Sequence, residues 1–328
     1  NMMTDTAYIA GIPKLWGVKL TSGATYDFSM TLPMSLIGSL AEKATPLGLM
    51  SGSSLYVELE LESVNRVLTT QKPNAASKRG LIGTATSNVV FTKYVLSDIY
   101  YNAKVTQIST DYDNVLLSAF GNNPVVLPGI GWRGEQKSTT TSQTFSDKFS
   151  FQLSSVKMFL WFLTSESTAN GTITNFNVNN SITQRQAGKL NEFWLSLNGT
   201  NFPSAPIKAG NSSITNVQYM ADVYSHLLRA FNLNSSTEAG GILDHGNYCD
   251  ALTSVASDSN VKKFISAIDL DRFDSEGEKY MQGINTIGQN MQFNINWTAD
   301  HSVNQVLYAW VMYDKSYTLI DGLLEVRN

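Results

Sequence analysis

Apolar side chains occupy every second position in several segments of this chain. In Leu55–Glu62 they alternate with glutamates, and in Met291–Trp297 they alternate with Gln and Asn. Phe149–Leu153 repeats the pattern with Ser and Gln between its apolar residues. Because successive side chains of a strand point to opposite faces, each segment predicts a β-strand with one face in a core and the other in water.

Two further segments, Val156–Leu163 and Val306–Tyr313, are apolar on both faces of a strand. Such a strand needs cover on both sides. In a sandwich the opposite sheet covers one face, so the other face must meet a neighbouring domain, an inserted helix or another subunit. These two segments are therefore candidates for an internal or intermolecular interface.

Helical patterns are few and short. Residues 217–231 predict an amphipathic helix, whose apolar stripe is Met220, Val223, Tyr224, Leu227 and Phe231. Thr110 is a candidate N-cap for a second helix over Asp111–Phe120, which has two acids in its first turn. A third, brief helix is predicted over residues 34–42. Asp321–Gly322 is typical of the turn of a closing hairpin.

The centre of the chain separates two strand-rich halves. From Ser165 to Gly188 the sequence is poor in large apolar residues and rich in Asn, Ser, Thr and Gly. We place the domain junction there, which gives an N-terminal domain over residues 1–166 and a C-terminal domain over residues 167–328. Strands that follow strands, with few helices between them, predict an all-β fold of two Greek-key sandwiches and argue against βαβ units.

Composition fits a protein with covered surfaces better than a nucleic-acid-binding protein. Charged residues make up 15% of the chain and the net charge is −4, so a basic footprint is absent. The basic run Lys72–Arg79 is interpreted as a solvated loop. Neutral polar side chains replace the missing charge, and burying a paired amide costs less than burying a charge. That composition also fits secreted sugar-binding or adhesive β proteins.

Cys249 is the only cysteine, which excludes a disulfide within the chain and a zinc site built on cysteines. A lone thiol leans towards a reducing compartment. The first residues, Asn1–Lys14, lack the pattern of a signal peptide, so we expect none. The longest apolar runs are shorter than the roughly 20 residues that span a bilayer.

Residues that could carry chemistry are scarce, and we predict no catalytic, cofactor or metal site. The three histidines, His226, His245 and His301, form no cluster with carboxylates in the sequence. His226 lies beside the apolar stripe of its helix, and we expect a structural role for it. Cys249 has no local histidine motif, so a catalytic thiol is not expected.

Three local motifs have plain interpretations. Gly129–Gly134 matches the glycine pattern of dinucleotide sites, but no helical pattern follows it, so we expect a glycine-rich loop. Ser154–Lys157 matches a serine–lysine motif, but it predicts the bend between two strands. Asp269–Glu278 is an acidic segment that we interpret as a solvated turn, with weak Ca²⁺ binding as the alternative.

Several segments together resemble a known family. Met34–Leu40, Thr45–Met50 and the Leu55–Glu62 strand are similar to the start of the first barrel in double jelly-roll major capsid proteins. Ser97–Ile108 resembles the next long strand of that barrel, and Lys157–Phe162 resembles the strand that ends it. These proteins belong to the lineage of icosahedral viruses that includes PRD1 and adenovirus.

The second half continues the resemblance in the same order. Leu195–Ile207 is similar to the Asn-Gly turn and Pro-containing strand of the family, and the helix at 217–231 follows it. Phe264–Phe273, Gly283–Phe293 and Val306–Tyr313 then match the closing strands. The resemblance therefore covers nearly the whole chain and implies two tandem eight-stranded jelly-roll β-sandwiches with a few short helices in loops.

The resemblance also implies a structural function without catalysis. Family members form homotrimers of pseudo-hexagonal outline, which tile an icosahedral capsid, often over an internal viral membrane. The implied partners are other copies of the chain, neighbouring capsomers, and minor capsid or penton proteins, with no specific nucleic-acid site and no cofactor. The implied location is the virion shell, assembled inside the host cell.

Two other functions remain open from the residues alone. The first is a secreted or surface carbohydrate-binding or adhesive β-sandwich protein, with Trp132 and Trp194 as the candidates for stacking on sugar rings. The second is a glycoside hydrolase on a β-sandwich, which needs two carboxylates facing each other across a cleft. A minor capsid or spike protein is a close relative of the capsid hypothesis.

Overall fold

The structure, a computed structural model, describes a little under half of the chain. The described residues are 56, 58–61, 95–102, 105–120, 124–165, 190–209, 217–231, 264–271, 283–301, 304–320 and 323–327. The predicted helix over 34–42, the Thr45–Met50 turn, the Lys72–Arg79 loop, His245 and Cys249 lie outside them.

Strands dominate the described residues, with two helices between them. The helices are α1 (Thr110–Phe120) and α2 (Val217–Ala230). The strands are β1 (Val125–Ser138), β2 (Thr144–Phe149), β3 (Val156–Ser165), β4 (Leu190–Leu197), β5 (Thr200–Lys208), β6 (Ser266–Asp269), β7 (Met291–Trp297), β8 (Gln305–Ile320) and β9 (Leu323–Arg327).

The strands form two antiparallel sheets. The first sheet has the order β1-β8-β3-β6, and β9 pairs with β8 outside this path. The second sheet has the order β2-β7-β4-β5. Apart from the β4–β5 hairpin, consecutive strands from β1 to β8 alternate between the two sheets, which is the double Greek key of an eight-stranded sandwich. The described sandwich is a jelly roll.

This jelly roll crosses the boundary that the sequence predicted at residue 166. Strands β1 and β3 lie before that position, yet both pair with β8, with Val125 opposite Leu319 and Phe162 opposite Tyr308. Strand β2 pairs in the same way with β7 of the second half. The polar segment after Ser165 is therefore not a domain junction. It connects β3 to β4, which lie in the two different sheets of one sandwich.

The core lies between the two sheets and is rich in aromatic side chains. Trp161 of β3 contacts Phe193 and Phe293 of the second sheet, with ring centroids 4.9 and 5.2 Å apart. Phe159 contacts Phe293 at 4.8 Å. All four side chains are fully buried. Each such side chain contributes roughly 1.5–3 kcal/mol by burial, so the core holds the two sheets together.

The β4–β5 hairpin has a two-residue turn. Asn198 and Gly199 both have positive φ, 48° and 85°, which is the conformation that favours Asn and Gly in a tight hairpin. Leu197 pairs with Thr200 across this turn. The Asn-Gly turn that the sequence suggested within Leu195–Ile207 is thus confirmed.

Several predicted elements are confirmed. Met291–Trp297 is strand β7, and its alternate apolar residues are buried. Val156–Leu163 and Val306–Tyr313 lie within β3 and β8, and Ser154 is a bend before β3. The closing hairpin is present as β8 and β9, with Ile320 opposite Leu323.

Other predictions are wrong or need adjustment. Tyr56, residues 58–61 and the described part of Ser97–Ile108 form no strand and are mostly exposed, because no strand in the described part of the chain pairs with them. Gly129–Gly134 is not a loop: it lies inside strand β1.

The helix predictions hold with two changes. Helix α1 begins at Thr110, and Ser109 supplies the cap, since its hydroxyl accepts a hydrogen bond from the backbone N–H of Tyr112 at 3.4 Å. Helix α2 buries Val223 and Leu227 as predicted, whereas Phe231 is 41% exposed because it lies just beyond the helix end.

Candidate functional site

The outer face of the first sheet is lined by aromatic and aliphatic side chains. Cross-strand pairs on this face join Phe162 to Tyr308, Leu160 to Trp310, and Trp132 to Met312. All six are partly exposed. We call these six residues the aromatic face. It is the side of β3 and β8 that the sequence identified as needing cover.

Three rings of the aromatic face stack on one another. Phe162 lies 5.2 Å from Tyr308 and 5.2 Å from Trp310, with interplanar angles of 20° and 29°. Tyr308 and Trp310 are 5.8 Å apart at 12°. The rings therefore turn their faces towards each other, an offset arrangement worth about 0.5–1.5 kcal/mol per pair beyond burial.

Gly134 of β1 provides space for the indole of Trp310. A Cβ atom at this position would lie 2.5 Å from Nε1 and 2.7 Å from Cδ1 of Trp310. The absence of a side chain lets the indole lie against the backbone of β1. Gly131 gives space to the ring of Tyr313 in the same way, so two glycines of the Gly129–Gly134 run serve ring packing in a strand.

The outer face of the second sheet is polar and internally hydrogen-bonded. The Ser146 hydroxyl donates to Oδ1 of Asn294 at 2.6 Å, and the Gln292 amide donates to Ser146. The Asn296 amide donates to Oε1 of Glu192 at 2.8 Å. We call these five residues the amide face. It carries one large ring, Trp194, which is paired with Asn294 across the strands.

One lateral edge of the sandwich is closed by charged side chains. Nζ of Lys137 on β1 lies 3.0 Å from Glu135 and 3.8 Å from Asp147 on β2. Glu135 also accepts hydrogen bonds from the backbone N–H and the hydroxyl of Ser150, both at 3.1 Å. Charges that point inward at an edge strand oppose pairing with another chain.

The two charged partners shift each other's pKa. Burial by itself would raise the pKa of Glu135, but hydrogen bonds from Lys137 and Ser150 outweigh it and hold that pKa below its usual value. The hydrogen bond to Glu135 raises the pKa of Lys137. Both groups are therefore charged over the physiological range, which keeps this edge polar.

Helix α2 closes the opposite edge. It packs against β6 and β5, the last strands of the two sheets. Val223 and Leu227 are buried, and Nε of Arg229 donates to Oδ2 of Asp269 at 3.1 Å. Covering an edge with a helix removes a template for aggregation. The described sandwich thus has two guarded edges and two faces of opposite character.

A buried ion pair joins β3 to β8 at the end of the sandwich. Nζ of Lys157 lies 2.9 Å from Oδ1 of Asp314, whose side chain is 2% exposed. The Ser155 hydroxyl donates to Oδ2 of Asp314 at 2.6 Å and accepts the backbone N–H of Gly283 at 2.9 Å. This cluster lies at the β-bulge between Val156 and Met158.

The candidate residues that the structure describes do not assemble into a reactive site; His245 and Cys249 lie outside the described part. Nε2 of His226 lies 3.7 Å from Asp222, one helical turn away, and burial lowers the pKa of this histidine. His301 is buried and its ring contacts Trp297 at 4.8 Å. Ser154 and Lys157 share no helix, since a bend lies between β2 and β3.

The described residues give no support for a cation site. Of the acidic segment Asp269–Glu278, only Asp269 to Asp271 are described, and Asp269 accepts hydrogen bonds from Arg229 and from the backbone of Asp271. Among the described residues no group of His, Cys, Asp and Glu could hold a metal ion. None of the described helices is long and apolar enough to cross a membrane.

Among known proteins, only solved structures are found to be similar to this chain. No protein-family model matches the chain, and no curated protein matches it. Matching structures include the quasi-atomic model of the PBCV-1 virus capsid, at 10% identity and a TM-score of 0.38, which covers 66% of this chain and 54% of that chain.

Two more matches are of the same kind. PBCV-1 VP54, fitted into a cryo-EM reconstruction of the virophage Sputnik, is 10% identical with a TM-score of 0.40 and covers 67% of this chain and 55% of that chain. The cryo-EM structure of the Sputnik virophage is 17% identical with a TM-score of 0.31, covering 62% and 39%.

The chain spans a little over half the length of the first two matched structures. All three come from a virus or a virophage. The jelly-roll assignment rests on the strand order of this chain itself.

Sequence reasoning found the aromatic face in part and missed the ion pair. The apolar runs pointed to β3 and β8, but the role of Gly134 depends on a register that joins distant segments. The signal for the ion pair was present: Lys157 is the only charge in the first apolar run, and Asp314 directly follows the second. The sugar-binding candidates Trp132 and Trp194 lie on the outer faces of opposite sheets, so they form no common platform.

Proposed function

We propose that this chain is a major capsid protein, a structural subunit whose trimers of pseudo-hexagonal outline tile an icosahedral shell. The observation that carries the proposal is the complete jelly-roll order of β1 to β8, which occurs in viral capsid and lectin domains among others. Segments of the sequence resemble the capsid family and follow that family's order, which favours a capsid protein over a lectin.

The surfaces of the sandwich support a structural role. Guarded edges keep the module from pairing with other sheets at random, while its two outer faces differ in chemistry, one aromatic and aliphatic and the other polar. Four of the five residues of the amide face are neutral, and Glu192 is hydrogen-bonded to Asn296, so covering the face costs less than covering unpaired charges as long as these hydrogen bonds persist. These properties suit a subunit that is surrounded by copies of itself and by minor capsid or penton proteins in a virion.

The proposal includes a second jelly roll upstream of the described one. Since β1 begins at Val125, we place the division near residue 124, with an N-terminal domain over about 1–123. That length lies within the usual domain size of about 100–150 residues. We propose no catalytic activity, no cofactor and no specific nucleic-acid site, and an internal viral membrane stays an expectation of the family resemblance.

Mass photometry and negative-stain imaging of the purified full chain test the capsid proposal. We expect trimers, with a triangular or hexagonal outline, that persist over a dilution series. A chain that stays monomeric at high concentration would contradict the proposal.

A carbohydrate-binding protein is the second candidate, because Trp194 lies among hydrogen-bonding side chains on the amide face. A glycan array probed with the wild-type chain, Trp194→Ala and Trp132→Ala separates the two functions. Binding that is lost in Trp194→Ala and kept in Trp132→Ala favours the carbohydrate function. The absence of binding together with trimers favours the capsid.

A further inference from the structure

A buried lysine lies against a buried aspartate at the start of β3. Nζ of Lys157 is 2.9 Å from Oδ1 of Asp314, and the two side chains are 11% and 2% exposed. Both charges lose their hydration there, and such a pair adds little net stability compared with apolar side chains of similar volume. An amine and a carboxyl group in contact are also the two reactants of amide-bond formation.

The backbone of both strands fixes these two groups where they meet. The register between β3 and β8 shifts between Val156 and Met158, which makes Lys157 the extra residue of a β-bulge. Bulges re-aim a side chain out of the regular alternation of a strand. On β8, the backbone N–H of Asp314 donates to the carbonyl oxygen of Ser155 at 2.9 Å. The contact therefore does not depend on two long, mobile side chains meeting by chance.

The Ser155 hydroxyl is placed to assist an attack on the carboxyl carbon. It donates to Oδ2 of Asp314 at 2.6 Å, and it accepts the backbone N–H of Gly283 at 2.9 Å, which holds it in place. Donors aimed at an oxygen that gains negative charge stabilise the transition state of acyl transfer. A Cβ atom at Gly283 would lie 2.5 Å from the backbone of Val156, so close packing of backbone shields this side of the cluster.

A second lysine–carboxylate pair shows what is particular to the buried one. Nζ of Lys137 lies 3.0 Å from Glu135, almost the same distance, but these side chains are 26% and 24% exposed. Water hydrates both ions of such a pair and competes for their hydrogen bonds. Groups held in contact in a dry site react as if at an effective concentration of about 10⁵ M or more. Burial therefore distinguishes the Lys157–Asp314 pair as the reactive one.

We propose that Lys157 and Asp314 condense to an intramolecular isopeptide bond once the chain has folded. The ammonium group passes one proton to Oδ1, and the neutral amine attacks Cγ while the Ser155 hydroxyl stabilises the charge on Oδ2. A second proton moves from the nitrogen to Oδ1, which leaves as water, and Oδ2 becomes the amide oxygen. Both hydrogens of the water come from the ammonium group, and no oxidant, reductant or cofactor is consumed.

The bond would tie together the two central strands of the first sheet, whose order is β1-β8-β3-β6. A cross-link between residues distant in sequence restricts the unfolded chain. Cys249 is the only cysteine, so a disulfide within the chain cannot serve this purpose. The reaction is a single self-modification and not a catalytic turnover, and it does not require that the chain form trimers.

Mass spectrometry of the purified full chain tests the proposal in two ways. The intact mass is compared with the mass of the sequence. Cyanogen bromide then cuts the denatured chain after its methionines, which places Lys157 in a fragment over residues 51–158 and Asp314 in a fragment over residues 313–328. Tandem mass spectrometry of any joined fragments locates the linked residues.

We expect an intact mass that is lower by one water molecule, and fragments 51–158 and 313–328 joined through Lys157 and Asp314. A chain of full mass with separate fragments overturns the proposal. A chain that has lost one water but gives separate fragments also overturns it, since a succinimide at Asp321–Gly322 loses the same mass without joining them.

Variants separate the reaction from a purely structural ion pair. Lys157→Arg keeps a positive charge but should retain the full mass, whereas the matched Lys137→Arg at the exposed pair should still lose one water. In a time course of cell-free synthesis, Ser155→Ala should join its fragments roughly a hundredfold more slowly than the wild type. Equal rates would overturn the assistance by Ser155. Should Lys157→Arg fail to fold, the fragments of the wild-type chain decide alone.

Discussion

At the scale of single residues, the Lys157–Asp314 pair is the most demanding feature of the sandwich. A buried ion pair adds little net stability compared with a well-packed apolar pair, because both charges lose their hydration. Removing one member is different, since the remaining charge stays buried without compensation. The pair therefore constrains the sequence more strongly than it stabilises the fold.

We predict that Asp314→Ala lowers the free energy of unfolding by about 3–5 kcal/mol, because Lys157 and the Ser155 hydroxyl lose their partner. Urea unfolding followed by circular dichroism measures the change. The control is Asp147→Ala at the exposed end of the β1–β2 network, where we expect a loss below about 1 kcal/mol. Equal losses in the two variants would refute the argument from burial.

Protonation of Glu135 should affect stability in acid. Its pKa is held below the usual value of a glutamate, so its contribution is complete above that usual value and is lost as the pH falls through the lower, folded-state pKa. We predict that Glu135→Gln flattens the dependence of unfolding free energy on pH below about 4.5. Chemical denaturation of both chains at a series of pH values measures this, and parallel curves would contradict it.

At the scale of elements, the sequence predicted the strands and helices of the second half well. Alternation marked β7, the apolar runs marked β3 and β8, and helical spacing marked α2. The sequence did not predict which strands pair, because β1 and β8 are far apart along the chain, with Val125 opposite Leu319. For that reason the glycines of β1 suggested a loop, and the polar segment after Ser165 suggested a domain boundary.

Helix α2 shows how an element protects the sheets. We predict that Leu227→Ala, which removes a buried contact with the sheet edge, destabilises the protein by about 2–5 kcal/mol and promotes aggregation through β5 and β6. Thermal unfolding and light scattering measure the two effects.

The matched control for this helix is Ser225→Ala on its exposed side, which should change neither quantity. Loss of stability without aggregation would show that the helix does not guard the edge.

At the scale of the whole molecule, one complete jelly roll spans residues 125–320. We predict that a fragment over residues 124–328 folds with a cooperative transition, because it contains all the described strands of the two sheets. Circular dichroism and thermal unfolding measure this transition. A matched fragment over residues 167–328, the domain predicted from sequence, should not fold, since it lacks β1, β2 and β3.

The sequence predicted only those features of the candidate site that lie within a single segment of the chain. The apolar runs of β3 and β8 pointed to a covered face before the fold was known. The stacking of Phe162 with Trp310 and the gap at Gly134 depend on three strands from distant parts of the chain, and no local pattern encodes that meeting.

The position of β8 has a consequence for how the protein forms. The Asn198–Gly199 turn lets β4 and β5 pair as soon as both have left the ribosome. The first sheet has to wait, since β1 and β3 both pair with β8, which is synthesised after β1 to β7. Closing such distant contacts is slow. Until β8 has been synthesised, β1 and β3 lack their central partner, and their unpaired edges are open to pairing with other chains.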